Sequence, residues 1–359
     1  MKIMLTGGGS LGPVTPLMAV AEVWRKEDVR AEFVWIGTPG GPERTVVEAA
    51  GIPFHPLFVP KLDRYAPGKW VFIPFRLLWS MKMALHLIQR ERPDVVLTAG
   101  GYVSVPLIWA AALYGIPTWV HQQDVRPGLA NKLMAPFATK ISVAWTRSLP
   151  AFDKKKTIHI GNPVRDSVLH GSRERGAEQF GFDPSRPTVL VFGGGTGAAW
   201  INHAIAQIVP ELCVSVNVLH ITGRGKQTSV EPRTGYFATE LLATEMPDAL
   251  ALADVVVCRA GMGTISELSA LAKPAIVIPI PDSHQEDNAA ALDELAAAMV
   301  IRQAQTTPQM LLQTILSLLE NPEDRRKLGA RLHAALPTTD VAQKLAHHLE
   351  GMVKQKSSV

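Results

Sequence analysis

Short runs of apolar residues alternate with longer helical segments along the whole chain, and a glycine-rich or polar turn follows most of these runs. The run Ile3-Met4-Leu5 leads into the turn Gly7-Gly8-Gly9-Ser10-Leu11-Gly12, and the run Val189–Phe192 leads into Gly193–Gly197. Continuous apolar runs that alternate with helices are typical of parallel strands buried on both faces. The pattern therefore predicts an α/β fold, with one strand, glycine turn and helix unit in each half of the chain.

The other apolar runs predict the remaining strands and the domain boundaries. They lie at Glu32–Ile36, Val95–Leu97, Pro117–His121, Lys140–Ala144, Val216–Ile221, Val255–Cys258 and Ala275–Ile280. A chain of 359 residues exceeds what one core usually supports, and the pattern pauses at Gly161–Arg165, where we place a hinge. We predict an N-terminal domain at 1–162, a C-terminal domain at 163–335, and at 336–359 a helix with a frayed tail that packs back toward the N-terminal domain.

The glycine turns indicate an anionic ligand. Glycine lets backbone N–H groups approach a phosphate closely at a helix N-terminus, where the helix dipole also favours negative charge. The first turn fits the dinucleotide pattern G-x-G-x-x-G, but the second strand runs into Gly37-Thr38-Pro39-Gly40-Gly41 without the acidic residue that would hold a nicotinamide ribose. The sequence therefore favours a nucleotide-type ligand between the two domains and argues against a dehydrogenase.

The composition and the N-terminus predict an intracellular protein. The first apolar run stops at Thr6, so the chain begins without a charged-then-apolar signal sequence. Cys213 and Cys258 lie in apolar runs, and we expect buried thiols there rather than a disulfide or a metal site. The net charge of +4 is too small to indicate nucleic-acid binding without a cluster of basic and stacking residues.

Basic and aromatic residues are concentrated between Lys61 and Lys82. Pro74 suits the first turn of a helix that we predict to continue to about Gln89. Basic residues interrupt the apolar run well short of the roughly 20 residues that a membrane span requires, so we expect the segment to lie on an anionic membrane surface. A core helix whose basic side chains reach solvent is the alternative. The residues expected at the membrane are Trp70, Phe72, Phe75, Arg76, Trp79 and Lys82.

Seven motifs, spread over almost the whole chain, together resemble those of the MurG family, the undecaprenyl-diphosphomuramoylpentapeptide N-acetylglucosaminyltransferases of peptidoglycan synthesis. Each motif alone is weakly specific, and their order carries the resemblance. The motifs are Gly7–Gly12, Gly100–Ser104, His121–Asp124 with Pro127-Gly128-Leu129 and Asn131, Gly161–Arg165, Gly193–Gly197 with Asn202, Arg259-Ala260-Gly261 with Ser266-Glu267-Leu268, and His284–Asn288.

The resemblance implies a GT-B fold, in which two Rossmann-like domains face each other across a cleft. The C-terminal domain would bind UDP-N-acetylglucosamine and the N-terminal domain the lipid-linked acceptor, lipid I. Inverting transfer to the muramic 4-hydroxyl would then give lipid II at the cytoplasmic face of the cell membrane, with no metal or other cofactor. Other cell-wall synthesis proteins are possible partners, and nucleic acid is not. The acceptor residues implied are Ser10, Leu11, Gly12, Tyr102, Gln122 and Asn131.

The resemblance also implies a set of donor residues, several of which have a structural alternative. Glu267 would hold the ribose hydroxyls, although the spacing Thr264-x-x-Glu267 also fits a helix capping box. Arg165 would contact the nucleotide or is a solvated turn residue; Gln285 and Asn288 would contact the donor sugar or are polar residues of a helix N-terminus. Backbone amides of the second glycine turn would face the diphosphate. The donor residues are Arg165, Gly194, Gly195, Thr196, Gly197, Gly263, Thr264, Glu267, Gln285 and Asn288.

The acceptor side departs from the family at the positions where a base is expected. Pro13 stands where the family has histidine, and the family's His-Glu-Gln-Asn is here His121-Gln122-Gln123-Asp124. Inverting transfer needs a base for the attacking hydroxyl, and neither Pro13 nor Gln122 can serve. Our hypothesis is that the carboxylate has moved two positions, so that Asp124, with His121, acts as base or orients the acceptor. The alternative is that Asp124 caps a helix beginning near Pro127.

Two other functions remain open on the sequence. A UDP-N-acetylglucosamine 2-epimerase shares the architecture but has no use for an exposed basic and aromatic helix. A non-catalytic nucleotide-sugar-binding protein would explain the altered acceptor loops, and it would bind the donor without turnover. Fold similarity alone does not decide between these classes.

Overall fold

The computed structural model describes residues 1–60, 73–194, 198–226 and 230–357, with the side chains of 73, 74 and 355–357 left out. The chain divides into two compact units. Unit 1 comprises Met1–Arg165 together with Thr339–Val359, and unit 2 comprises Asp166–Thr338. The chain therefore leaves unit 1 after Arg165 and returns to it for the C-terminal helix.

Unit 1 is built on a parallel sheet of seven strands in the order β3-β2-β1-β4-β5-β6-β7. Residues Ile3, Met4 and Leu5 of the central strand are wholly buried, as expected for a strand with helices on both faces. The order reverses between β1 and β4, which is where open α/β sheets bind their ligands. The strands are β1 (Lys2–Thr6), β2 (Glu32–Gly37), β3 (Phe54–Pro56), β4 (Val95–Thr98), β5 (Thr118–Gln122), β6 (Lys140–Val143) and β7 (Thr157–His159).

Helices cover both faces of this sheet, and the C-terminal helix packs on the same face as the first helix. Leu345 and Leu349 of that helix are buried in the same core as Leu17 and Val20 of the first helix, and His348 lies 5.6 Å from Trp119 between ring centroids. The helices of unit 1 are α1 (Val14–Glu27), α2 (Glu43–Ala49), α3 (Ile73–Glu91), α4 (Ser104–Leu113), α5 (Leu129–Met134) and, from the C-terminus, α13 (Val341–Ser357).

Unit 2 repeats the design with a parallel sheet of six strands in the order β10-β9-β8-β11-β12-β13. The strands are β8 (Thr188–Phe192), β9 (Asn217–Ile221), β10 (Tyr236–Thr239), β11 (Val255–Cys258), β12 (Ala275–Val277) and β13 (Met299–Val300). The helices are α6 (Arg173–Phe180), α7 (Ala199–Leu212), α8 (Met246–Leu252), α9 (Met262–Ala270), α10 (His284–Glu294), α11 (Pro308–Glu320) and α12 (Pro322–Ala335).

The two parallel-sheet units confirm the predicted fold class of two Rossmann-like domains. The strands β3, β7, β10 and β13 were not predicted; they are the edge strands of the two sheets and have two to four residues each. Cys258 is buried in β11 as expected, but Cys213 follows the last residue of α7 and is only half-buried. Both thiols are free. Within the described ranges, no helix combines the length and the apolar character needed to cross a bilayer.

Candidate active site

Three loops of unit 1 meet at the carboxyl edge of its sheet, where β1, β4 and β5 end. The loops after β1 and β4 pack backbone against backbone. A Cβ atom on Gly101 would lie 3.0 Å from the Gly8 carbonyl oxygen, and Gly101 has φ +98°. The side chain of Gln123 ties all three together, because its Nε2 donates to the carbonyl oxygens of Gly12 and Ala99, each at 3.2 Å. This places the predicted acceptor residues of loops 7–12 and 99–102 at the switch point of the sheet.

The exposure of these loop residues differs along the loop. Ser10 and Gly12 are exposed, Leu11 is half-buried, and the Tyr102 ring lies beside Gly9, where a Cβ atom would be 3.0 Å from Tyr102 Cε1. The pKa of the Tyr102 phenol is raised mainly by burial and, to a smaller extent, by the nearby carboxylate of Glu43. The hydroxyl therefore stays protonated near neutral pH. The tip of the first loop and a phenol donor are thus available to an uncharged group of a ligand.

His121 does not have the environment of a general base. It is wholly buried at the end of β5, where its Nδ1 lies 2.8 Å from Ser142 Oγ and its Nε2 lies 2.7 Å from Asn162 Oδ1. Both ring nitrogens are therefore engaged inside unit 1, and burial lowers the pKa of the ring to about 4. The part of our hypothesis that made His121 a base is not supported by this geometry. The ring instead holds the end of β5 to β6 and to the Gly161–Arg165 segment.

The buried His121 makes the stability of unit 1 depend on pH. The pKa of the ring is about 4 in the folded state and about 6.5 in the unfolded state, so between these values the unfolded state binds more protons. Stability therefore falls as the pH drops from 6.5 toward 4, and His121 accounts for about 2 kcal/mol between pH 7 and pH 5. We expect the replacement His121→Gln to reduce this pH dependence by that amount, measured as the free energy of opening of β5 by hydrogen exchange. An unchanged pH dependence would contradict the assignment.

Gln122 and Asn131 fix the turn that carries Asp124. Gln122 Oε1 accepts from Asn131 Nδ2 at 2.6 Å, and Gln122 Nε2 donates to the carbonyl oxygen of Asp124 at 2.7 Å. A carboxylate at position 122 could not make the second bond, because it has no donor. Gln122 is 2% exposed and Asn131 is 6% exposed, so both are buried side chains that stabilise the loop. The amide at position 122 is thus matched to this turn.

Asp124 is partly exposed and is the one acidic residue in loops 7–13, 99–103 and 122–128. The alternative that it caps the next helix is wrong, because α5 begins at Leu129 with Gly128 as its N-cap residue and without a side-chain cap. Asp124 lies four residues before that cap. Its carboxylate therefore remains the candidate base on the acceptor side.

The donor residues of unit 2 gather where β11 and β12 end. Helix α9 begins at Met262 after the N-cap residue Gly261, again without a side-chain cap, so Thr264 is the third residue of the helix and not its cap. The capping-box alternative for Glu267 is therefore wrong. Glu267 is the sixth residue of α9, in its second turn, and is half-buried. Gly263 and Thr264 lie in the first turn, where backbone N–H groups lack partners within the helix.

Gln285 and Asn288 differ in what they do. Gln285 lies beside the start of α9, since a Cβ atom on Gly261 would be 3.9 Å from Gln285 Nε2, and its Oε1 accepts from the Ile280 backbone at 3.2 Å. Asn288 is wholly buried and donates to the carbonyl oxygen of Ala260 at 3.0 Å, which ties α10 to the loop before α9. Gln285 is thus placed for contact with a ligand, and Asn288 is placed to hold the loop.

Arg259 supports the same loop, although the sequence analysis gave it no role. Its Nη1 donates to the carbonyl oxygens of Ile278 and Pro279 at 3.0 and 2.9 Å and to Gln303 Oε1 at 3.1 Å. Desolvation lowers the pKa of the guanidinium. The end of β11 is therefore fixed to the end of β12 by a half-buried guanidinium that donates to two carbonyl oxygens and a glutamine side chain.

The remaining donor residues are only partly described. Gly194 has φ +83°, a conformation that favours glycine, whereas Gly195, Thr196 and Gly197 lie outside the described residues. Arg165 is half-buried at the end of the first segment of unit 1. The structure thus brings Gly263, Thr264, Glu267 and Gln285 together in unit 2 and leaves the role of the second glycine turn as a prediction.

Comparison with known proteins bears on the identity of these two units. The glycosyltransferase family 28 N-terminal domain matches residues 3–143, and the glycosyltransferase family 28 C-terminal domain matches residues 188–345. The UDP-N-acetylglucosamine–N-acetylmuramyl-(pentapeptide) pyrophosphoryl-undecaprenol N-acetylglucosamine transferase of Clostridium kluyveri is 36% identical over 322 residues, which cover 88% of this chain and 91% of that protein.

Two solved structures have a similar fold. The MurG structure from Acinetobacter baumannii has a TM-score of 0.75 and 23% identity and covers 98% of this chain and 99% of its own. A UDP-GlcNAc 2-epimerase from Neisseria meningitidis, bound to UDP-GlcNAc, has a TM-score of 0.72 and 13% identity over 98% of this chain and 100% of its own. At these identities the structures establish the fold, whereas the near full-length relative establishes the family. The chain is a glycosyltransferase of family 28 and belongs to the MurG family.

Proposed function

We propose that this protein transfers N-acetylglucosamine from UDP-N-acetylglucosamine to the muramic 4-hydroxyl of lipid I, with inversion, to form lipid II. The observation that carries the proposal is the acceptor edge of unit 1, where one partly exposed carboxylate, Asp124, lies on loops that are otherwise free of acidic residues. Near full-length relatives at about a third identity support the choice of substrates, because their names specify this transfer.

The chemistry assigns one task to each unit. The acceptor hydroxyl attacks the anomeric carbon of the donor through its oxygen, and the Asp124 carboxylate takes the hydroxyl proton. The bond from that carbon to the diphosphate breaks on the opposite face, and the electron pair leaves with UDP. Backbone N–H groups in the first turn of α9 stabilise the charge that develops there, and the helix dipole acts in the same direction.

Donor recognition follows from the arrangement around α9. Glu267 accepts hydrogen bonds from the ribose hydroxyls of UDP, and Gln285 contacts the transferred sugar beside Gly261. Asn288 and Arg259 act through the loop that they hold, since their polar atoms bond the carbonyl oxygens of Ala260 and of Ile278 and Pro279.

A 2-epimerase is the second candidate, because its fold is nearly as similar as that of a MurG protein. The two functions differ in what they require besides the donor. An epimerase converts UDP-N-acetylglucosamine alone, whereas the transferase releases UDP only when an acceptor hydroxyl is present. The near full-length relatives favour the transferase.

Acceptor-dependent release of UDP tests the proposal. Purified protein is given UDP-N-acetylglucosamine with a lipid I analogue in detergent, or without it, and each mixture is repeated with EDTA. We expect UDP release only with the analogue and at the same rate with EDTA, since the proposed transfer needs no metal. Conversion of the donor without acceptor would support the epimerase, and donor binding without release in either mixture would support a non-catalytic binding protein.

We further propose that helix α3 holds the protein on an anionic membrane surface, because one of its faces is apolar and exposed. Phe75, Leu78 and Trp79 are 73%, 69% and 58% exposed, and the basic residues Arg76 and Lys82 lie beside them. Lys82 Nζ lies 6.0 Å from the Trp79 ring centroid. The opposite face packs in the core through Ala84, Leu87 and Ile88. Trp70 and Phe72, which we also predict at the membrane, lie outside the described residues.

Binding to phospholipid vesicles tests this surface. We expect the protein to sediment with vesicles containing phosphatidylglycerol and to be released by salt, because the basic residues act within a Debye length of the surface. The double replacement Phe75→Ser and Trp79→Ser should weaken binding at least about tenfold, since each large apolar side chain contributes about 1.5–3 kcal/mol when fully buried. Val214→Ser, which replaces an apolar side chain of unit 2 that is 80% exposed, is the control. Equal binding of the double variant and the control would contradict the assignment.

A further inference from the structure

A carboxylate of the chain itself lies under the first glycine-rich loop. Glu43, the first residue of α2, is wholly buried. Its Oε2 accepts from the backbone N–H of Gly9 at 3.2 Å, and its Oε1 accepts from the backbone N–H of Thr38 at 2.7 Å and from the Thr38 hydroxyl. One side chain thus bonds the loop after β1 to the end of β2, on the side of the sheet edge where the acceptor loops meet.

The glycines around this carboxylate are required by its presence. A Cβ atom on Gly8 would lie 2.1 Å from Glu43 Oε1, and a Cβ atom on Gly41 would lie 2.0 Å from Glu43 Oε2. Both distances are far below van der Waals contact, so any other residue at 8 or 41 would displace the carboxylate. The sequence analysis attributed the glycines of the first turn to a bound phosphate. In the structure Gly8 of that turn makes room for Glu43.

Two backbone N–H groups of the loop already have partners within the chain. The Gly9 N–H donates to Glu43, and the Gly7 N–H donates to the carbonyl oxygen of Ile36 at 3.4 Å. Among the described residues, no lysine or arginine pairs with Glu43, so its negative charge opposes a second anion at the loop. The charge of Glu43 also helps to raise the pKa of the Tyr102 phenol. Glu43 therefore takes one N–H donor of the first glycine turn and places a negative charge beside it.

We propose that Glu43 is a positioning residue for the transfer reaction: its carboxylate takes the anion position of the first glycine turn and holds Gly9 and the adjoining Tyr102 in register with the acceptor. Glu43 does not touch the substrate. It acts through the loop, in which Ser10 and Gly12 are exposed and Leu11 is half-buried. The kinetic part of this inference rests on the proposed transfer to lipid I, whereas the structural part does not.

The variant Glu43→Gln tests the inference with little change in shape. Both oxygens of Glu43 accept from N–H or O–H donors, so whichever becomes an NH₂ group points a donor at another donor. We expect hydrogen exchange in a peptide covering residues 7–12 to become about tenfold to a hundredfold faster, the range for loss of a hydrogen bond to a charged group. We expect kcat with the lipid I analogue to fall by a similar factor and KM for UDP-N-acetylglucosamine to stay unchanged.

Two further variants make the test specific. Glu48→Gln removes an exposed carboxylate from the same helix, one that pairs with Arg44 at 2.8 Å, and it should change neither exchange nor kcat. Thr38→Val removes only the hydroxyl donor and should give a smaller change in the same direction, which keeps the test available if Glu43→Gln does not fold. The inference would be overturned if residues 7–12 of Glu43→Gln exchanged hydrogen at the wild-type rate. It would also be overturned if exchange became faster evenly over the whole of unit 1. Absence of turnover in the wild type would refute the proposed function alone, since the exchange comparison stands without it.

Discussion

Replacement of Asp124 by Asn is expected to reduce kcat for transfer to a lipid I analogue by about 10²- to 10⁴-fold, the usual contribution of a general base. The amide keeps the size of the side chain but cannot take the proton of the attacking hydroxyl. Donor binding should be unchanged, because all the donor residues except Arg165 lie in unit 2. The measurement is steady-state release of UDP, with binding of UDP-N-acetylglucosamine followed separately. Wild-type turnover in Asp124→Asn would end the hypothesis that this carboxylate is the base.

A double variant separates a displaced carboxylate from an unrelated role of Asp124. Combining Gln122→Glu with Asp124→Asn recreates the family's His-Glu-Gln-Asn order, and we expect it to recover part of the activity lost in Asp124→Asn. Full recovery is not expected, since Gln122 Nε2 donates to the carbonyl oxygen of Asp124 and a carboxylate there cannot. Activity no higher than that of the single variant would show that position 122 cannot supply the base in this chain.

Replacement of Glu267 by Gln is expected to lower kcat/KM for UDP-N-acetylglucosamine by about tenfold to a hundredfold, mainly through a higher KM. A carboxylate that accepts from two ribose hydroxyls makes stronger bonds than an amide with one oxygen, and a hydrogen bond to a charged group contributes about 1.5–3 kcal/mol. Because Gly261 is the N-cap residue of α9 and Glu267 lies in the second turn, the substitution should not unfold the first turn of the helix.

A matched control for Glu267 lies in the same unit. Glu286→Gln removes an exposed carboxylate from the first turn of α10, next to Gln285, and should leave KM for the donor unchanged. Thermal unfolding of both variants checks that unit 2 is intact. If Glu267→Gln lost stability but kept its KM, Glu267 would be a structural residue of α9 and the ribose assignment would fail.

Most of the fold follows from one signal, the alternation of short apolar runs with helical segments. The central strands, such as β1 and β11, are apolar at nearly every position because both faces are buried, and this makes them visible in the sequence. The edge strands were missed for the opposite reason. β10 has no wholly buried residue and β13 has two residues, so neither shows a continuous apolar run.

The site was harder to predict because its residues are defined by partners far away in the sequence. His121 looks like a catalytic histidine beside Asp124, yet its partners Ser142 and Asn162 lie 21 and 41 residues away and bury both ring nitrogens. The capping alternatives for Asp124 and Glu267 rested on spacing alone. They failed because the helices begin elsewhere, after Gly128 and Gly261.

Three supporting residues were hard to recognise from the sequence. Glu43 and Arg259 are charged residues in loop or helix-start positions, where exposure is the ordinary expectation, and both are instead held by backbone groups of neighbouring strands. Gln123 stands in a recognised motif, but its bonds to Gly12 and Ala99 depend on how the loops pack. The density of glycines at 7–9 and at 40–41 was the one available hint of a buried side chain between the two turns.

Identification of the lipid product tests the central claim most directly. Protein, UDP-N-acetylglucosamine labelled with ¹³C in the sugar, and a lipid I analogue are incubated in detergent, and the extracted lipid is analysed by mass spectrometry and NMR. We expect a lipid heavier by one N-acetylglucosamine residue, joined to the muramic 4-oxygen through an inverted anomeric carbon. Unchanged lipid I analogue, in the presence of bound donor and with an acceptor shown to be competent with another member of the family, would contradict the account.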